Sequence, residues 1–140
     1  MKTLPVALTT AALALLLAGC GSTPAPTPSF GFGDDAVSIA RSVKACRAAT
    51  DQTVPANTTG ATSIATCSIN GSQVDFFVWK DAAAQAAQSP AFASSGAAEA
   101  YVAHGDGWDA VTHESGRVGQ QKLVAETVAA SAEGTVVHTG

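Results

Sequence analysis

The stretch SIATCSINGSQVDFFVW, residues 63–79, decides the fold. Ala65, Cys67 and Ile69 alternate with Thr66 and Ser68, and after Asn70 and Gly71 the residues Val74, Phe76 and Val78 alternate with Asp75, Phe77 and Trp79. Side chains two apart share one face of a strand, so the pattern is that of two half-buried strands. Asn-Gly between them suits the positive φ angles of a two-residue hairpin turn. Cys67 then stands on the same face as Ile69, and an apolar layer must cover that face.

Upstream, Ile39, Val43 and Cys46 recur at helical spacing, with Asp34 and Asp35 ahead of them and Lys44 and Arg47 toward the end, as a helix dipole favours. The spacing predicts a helix over 34–49 that turns Cys46 toward the hairpin, then a Thr-, Pro- and Asn-rich loop over 50–60. Downstream, Asp81 can cap a short Ala-rich helix that fades near Ser89 and Pro90, with a loop over 90–96. A second hairpin is expected from 100–104 and 108–113 about a turn at Gly105, Asp106 and Gly107. A helix over 120–133 carries Leu123, Val124, Thr127, Val128 and Ser131 on one stripe and ends at Gly134, and 135–138 adds a strand. The expected fold is α+β: a single domain over 34–140, with a small antiparallel sheet of four to five strands and helices packed on one face. The element order α, ββα, ββα, β suggests a degenerate internal repeat.

The N-terminus has a different character. After Met1 and Lys2 no charge appears before Cys20, and Leu4, Val6, Leu8 and the run over 11–17 are apolar. That is a short positive segment and a signal-type apolar segment, shorter than the ~20 residues a spanning helix needs. It ends Leu17-Ala18-Gly19-Cys20, which resembles the lipobox of bacterial lipoproteins; an ordinary secretory signal with a chance cysteine is the alternative. The resemblance covers residues 1–20 and implies that signal peptidase II recognises Leu17, Ala18 and Gly19, cuts before Cys20, and leaves a diacylglyceryl group on the Cys20 thiol. Two or three acyl chains, at ~0.8 kcal/mol per CH₂, hold a protein where one chain is marginal. The expected place is the extracytoplasmic face of a membrane, either the outer membrane or the outer leaflet of the inner membrane in a diderm cell. Residues 20–33, with three prolines and no charge, are expected to be an extended tether reaching up to about 40 Å.

Without residues 1–19, six Lys and Arg stand against eleven Asp and Glu, a net charge of −5. A mildly acidic domain has no electrostatic footprint for nucleic acid and would be pushed off an anionic lipid surface, leaving the lipid chains to hold it there. Alanine supplies about a fifth of the chain, a usage suggestive of high-GC bacteria or their phages. The hairpin, helix, strand, Trp and Gly pattern loosely resembles small actinobacterial lipoproteins, a resemblance that carries no activity. In an exported chain the remaining cysteines, Cys46 and Cys67, are expected to be joined, contributing on the order of 3 kcal/mol. A metal or redox pair would want a CxxC spacing or nearby histidine.

Three groups of side chains invite a functional reading. Phe77, Trp79, Tyr101 and Trp108 form an exposed binding patch if the hairpins pair with one face uncovered, and complete the core otherwise. His104, Asp106, Asp109 and His113 bracket the second hairpin, where imidazole and carboxylate could ligate a metal or simply flank a solvated turn; no metal or other cofactor is expected. The serines lack a GxSxG elbow, residues 31–33 lack the ending of a phosphate loop, and Glu99, Glu114 and Glu126 have no evident apolar pocket. The expected function is therefore a non-enzymatic binding or interaction module, contacting an envelope protein or peptide. An accessory envelope lipoprotein, including a phage-encoded one that blocks superinfection, is the alternative; a small enzyme with an unrecognised site is the third reading.

Overall fold

The computed structural model describes residues 29–56, 58, 60–93, 100–113 and 117–139, with backbone alone at 89–93 and 100. The leader, the Leu17-Ala18-Gly19-Cys20 motif, the tether before residue 29, Glu99 and Glu114 lie outside these residues.

The hairpin that opened the sequence forms as expected. β2 (Ala61–Ile69) and β3 (Ser72–Trp79) pair antiparallel with Cys67 opposite Val74, and Asn70 and Gly71 turn between them at φ of 53° and 85°. The second hairpin, β4 (Ala100–Gly105) and β5 (Trp108–Thr112), joins β3 through β5. β6 (Thr135–Thr139) then pairs with β4. With β1 (Arg47–Gln52) beside β2, the sheet has six antiparallel strands in the order β1-β2-β3-β5-β4-β6, so the fold is α+β with more strands than the four to five expected.

The extra strand comes from the segment read as the end of a helix. α1 (Ala36–Ser42) is only seven residues long, capped by the Asp35 carboxylate on the Ser38 N–H at 3.1 Å. Cys46 N–H then bonds Val43 O, reversing the chain so that 47–52 lies along β2. Ile39 and Val43 are buried and Cys46 packs against the core as the helical spacing required, so the pattern was met by a short helix and a turn. Cys46 and Cys67 are disulfide-bonded, with Cα atoms 5.6 Å apart.

α1 lies on β1, β2 and β3, and α3 (Val118–Ser131) lies on β4, β5 and β6. Together they cover the face bearing Cys67, Ile69, Val74, Phe76, Val78, Ala103, Trp108 and Ala110. α3 buries Gln121, Val124, Ala125, Val128 and Ala129, while Leu123 is 54% exposed, so the stripe is rotated from the expected one. Just past α3 the chain runs close over Trp108: a Cβ on Gly134 would meet that ring at 2.8 Å.

α2 (Ala82–Ala93) begins where expected, with Asp81 accepting from Ala84 N–H at 2.8 Å, but runs past Pro90. It corrects the expectation that all helices share one face, because its Gln85 meets the opposite face of the sheet.

The folded part also starts earlier than Asp34. Phe30 packs against the core, Gly33 N–H bonds Trp79 O at 3.0 Å, and Gly31 N–H bonds the Asp34 carboxylate at 2.7 Å. Residues 30–33 form a strap across the end of the sheet rather than the last part of a free tether. Gly107 makes room for it: at φ +83°, a Cβ there would stand 2.3 Å from Phe32 N.

Candidate binding site

Antiparallel register gathers the site. Phe77 is opposite Asp109, and Asp109 is opposite His104, so these side chains share the sheet face away from α1 and α3. Trp79, two residues from Phe77, stacks on it with ring centroids 5.8 Å apart.

Asp109 is the centre of the arrangement. Its side chain is 5% exposed, and burying a carboxylate is costly unless donors surround it. Trp79 Nε1–H donates to Oδ2 at 2.7 Å, Gln85 Nε2 stands 3.3 Å from the same oxygen, and His104 Nδ1 lies 2.7 Å from Oδ1. An ionised carboxylate only accepts, so the contact assigns the proton to His104 Nδ1 and directs Nε2 away from Asp109. The imidazole side chain is 44% exposed, which makes the pair a surface histidine held from beneath by a buried acid.

Gln85 locks the turn beneath this pair. Its amide nitrogen donates to Gly105 O at 3.0 Å and Trp108 O at 3.1 Å, which uses both hydrogens, and its oxygen accepts from Gly107 N–H at 3.3 Å. The longer approaches of Gln85 Nε2, 3.2 Å to His104 Nδ1 and 3.3 Å to Asp109 Oδ2, are then packing contacts, so the Asp109 carboxylate is held by Trp79 and His104.

A second His and Asp pair occupies the other end of the same face. His113 Nε2 bonds Asp75 Oδ2, and Asp75 Oδ1 accepts from Thr66 Oγ1 at 2.9 Å and Gln73 Nε2 at 3.2 Å. Four residues of strand, ~13 Å, separate Asp109 from His113, so the two pairs do not converge. Asp106 is exposed in the turn. The four residues weighed as ligands thus divide into one pair, one member of another pair and a turn residue. Among the described residues no three His, Cys, Asp or Glu side chains are placed to hold one metal ion.

The aromatic patch is corrected. Trp79 and Trp108 are fully buried, Phe77 and Tyr101 are half-buried, and the four do not share a face. Trp108 and Tyr101 fall on the helix-covered face, where Tyr101 stacks on His138 at 4.6 Å, while Phe77 and Trp79 are on the other. The paired hairpins bring Trp79 to Asp109, and the buried carboxylate takes up the indole N–H that an exposed ring would have offered a partner.

A cleft of about 210 Å³ between the strap and the end of α3 is lined by Ser29, Phe30, Asp106, Trp108, Ala132 and Glu133. It is smaller than the ~300 Å³ at which drug-sized sites begin. The sequence reading missed Gln85 and Asp75. Gln85 did leave a signal, as the first polar residue after the cap in an otherwise all-alanine run.

Comparison with known proteins adds no relative: no protein-family model, no curated protein and no solved structure matches the chain.

Proposed function

We propose that this chain is a lipid-anchored extracytoplasmic protein whose α+β domain is a non-enzymatic binding module for an envelope partner. The observation that carries the reading is the conjunction of Leu17-Ala18-Gly19-Cys20 behind an apolar segment with the Cys46–Cys67 disulfide. Structural disulfides persist in oxidising compartments, which is where a lipobox would deliver the chain. The lipid on Cys20 supplies the membrane partner, and the sheet face around His104 and Phe77 is the surface offered to a protein or peptide. Intact mass of the membrane-extracted protein tests the anchor: a chain beginning at Cys20 with acyl mass added supports it, and normal membrane retention of Cys20→Ala overturns it.

A second reading, a small enzyme, is favoured by one feature alone. A buried carboxylate fixing the tautomer of an exposed imidazole is the arrangement that general-base histidines use. Slow acylation of His104 by diethyl pyrocarbonate, no faster than that of His113, would remove the basis for it.

A further inference from the structure

The cleft between the strap and the end of α3 has a chemistry that the sheet face lacks. Asp106 reaches it from the turn between β4 and β5, Glu133 from the residues just past α3, and Phe30, Trp108 and Ala132 give it apolar walls. Close backbone approaches fix its two sides. A Cβ on Gly107, beside Asp106, would stand 2.3 Å from Phe32 N. Gly134, beside Glu133, lies against the Trp108 ring with its N–H bonded to Ala129 O at 2.9 Å. The cleft is thus held by three separate parts of the chain, the strap, the turn and the end of α3.

Among the described residues, neither the Asp106 nor the Glu133 carboxylate has an ion pair or a side-chain hydrogen bond. Two like charges facing one cleft disfavour each other unless a cation joins them. The bases of this chain are placed elsewhere. Lys80 passes close to Gly60 and Ala84, Arg41, Lys44 and Arg47 belong to α1, β1 and the turn between them, and Arg117 and Lys122 stand at the start of α3, at the far end of a ~21 Å helix. Outside the described residues the only base is Lys2, in the leader, so the undescribed segments add no positive side chain beyond it.

We propose that this cleft receives a basic side chain, lysine or arginine, of a protein or peptide partner. The inference rests on the interaction-module reading and is independent of the lipid anchor. A hard metal ion takes six or more oxygens, and no three His, Cys, Asp or Glu side chains among the described residues are placed to hold one. A basic side chain matches the cleft better, because its alkyl stem covers apolar surface while its charged head stays at the rim, where Asp106 and Glu133 are exposed. The half-buried Phe30 ring adds an attraction for a cation near its face. At about 210 Å³ the cleft suits one side chain and not a larger ligand. The net charge of −5 left after residues 1–19 draws a basic partner in from a distance, and the cleft gives the encounter a register.

The test titrates the isotope-labelled, membrane-extracted protein in zwitterionic detergent with the blocked peptide acetyl-Gly-Lys-Gly-amide and follows backbone amides by NMR. Gly31, Asp106, Gly107, Glu133 and Gly134 should shift saturably, with a midpoint in the millimolar range. The same peptide with its lysine acetylated keeps the stem and loses the charge, and should leave them in place. Asp106→Asn with Glu133→Gln should weaken binding about tenfold, whereas Asp51→Asn, an exposed acid on β1, should not change it. Both side chains of the double variant are exposed and without bonds, and an otherwise unaltered amide spectrum checks its fold. Equal shifts with the acetylated peptide, or shifts that follow every exposed acid including Asp51, overturn the proposal. Shifts confined to His104 and Phe77 overturn the cleft and leave the interaction module standing; no shift with the lysine peptide overturns the cleft as well.

Discussion

Asp109 brings a negative charge to a place where water scarcely reaches, and the residues around it exist in the right number to make that tolerable. Removing one partner leaves a buried acceptor under-satisfied, which costs about 1–3 kcal/mol. Trp79→Phe keeps most of the ring and loses the Nε1–H, so urea unfolding should show a loss of that size. Trp79→Ala should cost ~3–5 kcal/mol, because the ring is fully buried. At the start of α1 a single carboxylate has a simpler task. The hydroxyl of Ser38 is the main cause holding Asp35 below the ordinary carboxylate range, helped by backbone N–H groups and opposed by slight burial. A depressed folded-state pKa stabilises the fold above the unfolded pKa, and that contribution is lost as pH falls through the folded value. Asp35→Ala should cost about 1 kcal/mol at neutral pH, and the difference from wild type should shrink in acid, read from paired denaturation curves.

At the scale of elements, the covalent link and the helix faces make separate claims. The Cys46–Cys67 disulfide closes a separation of 21 residues, so the Cys46→Ser, Cys67→Ser double variant should lose about 3 kcal/mol in thermal or urea unfolding. Leu123→Ser on the outer side of α3 should stay within about 0.5 kcal/mol of wild type, whereas Val128→Ala should cost about 2 kcal/mol. This contrast shows where sequence reading reached its limit. Both hairpins were legible because alternation and turn residues act locally, and the last strand followed Gly134. α3 was legible as a helix but not in its facing, since Leu123 outranks Ala125 and Ala129 in hydrophobicity, yet the two alanines are buried on the sheet and Leu123 is exposed. β1 was hidden because a helical spacing of Ile39, Val43 and Cys46 is also met by a short helix and a reversed chain, and only pairing with β2 distinguishes the two. The site was half legible: His104 and Asp109 were singled out, but sheet register alone reveals that Trp79 serves Asp109 and that His113 belongs to Asp75.

For the whole molecule, residues 30–33 are what hold the chain that precedes α1 to the end of the sheet. Gly107→Ala would strain a left-handed backbone position and drive a methyl group into Phe32, so residues 30–33 should lift from the sheet. Limited proteolysis near Phe30 and Phe32 should then accelerate, while cleavage elsewhere in the domain changes little. The bond from Gly33 to Trp79 also has a mechanical meaning. Under a lipid anchor at Cys20, any pull on the domain enters at the end of β3, a strand flanked on both sides, and not at either rim of the sheet. The strap would peel one contact at a time before load reaches the ladder, acting as a fuse that lengthens the leash while the sheet stays whole.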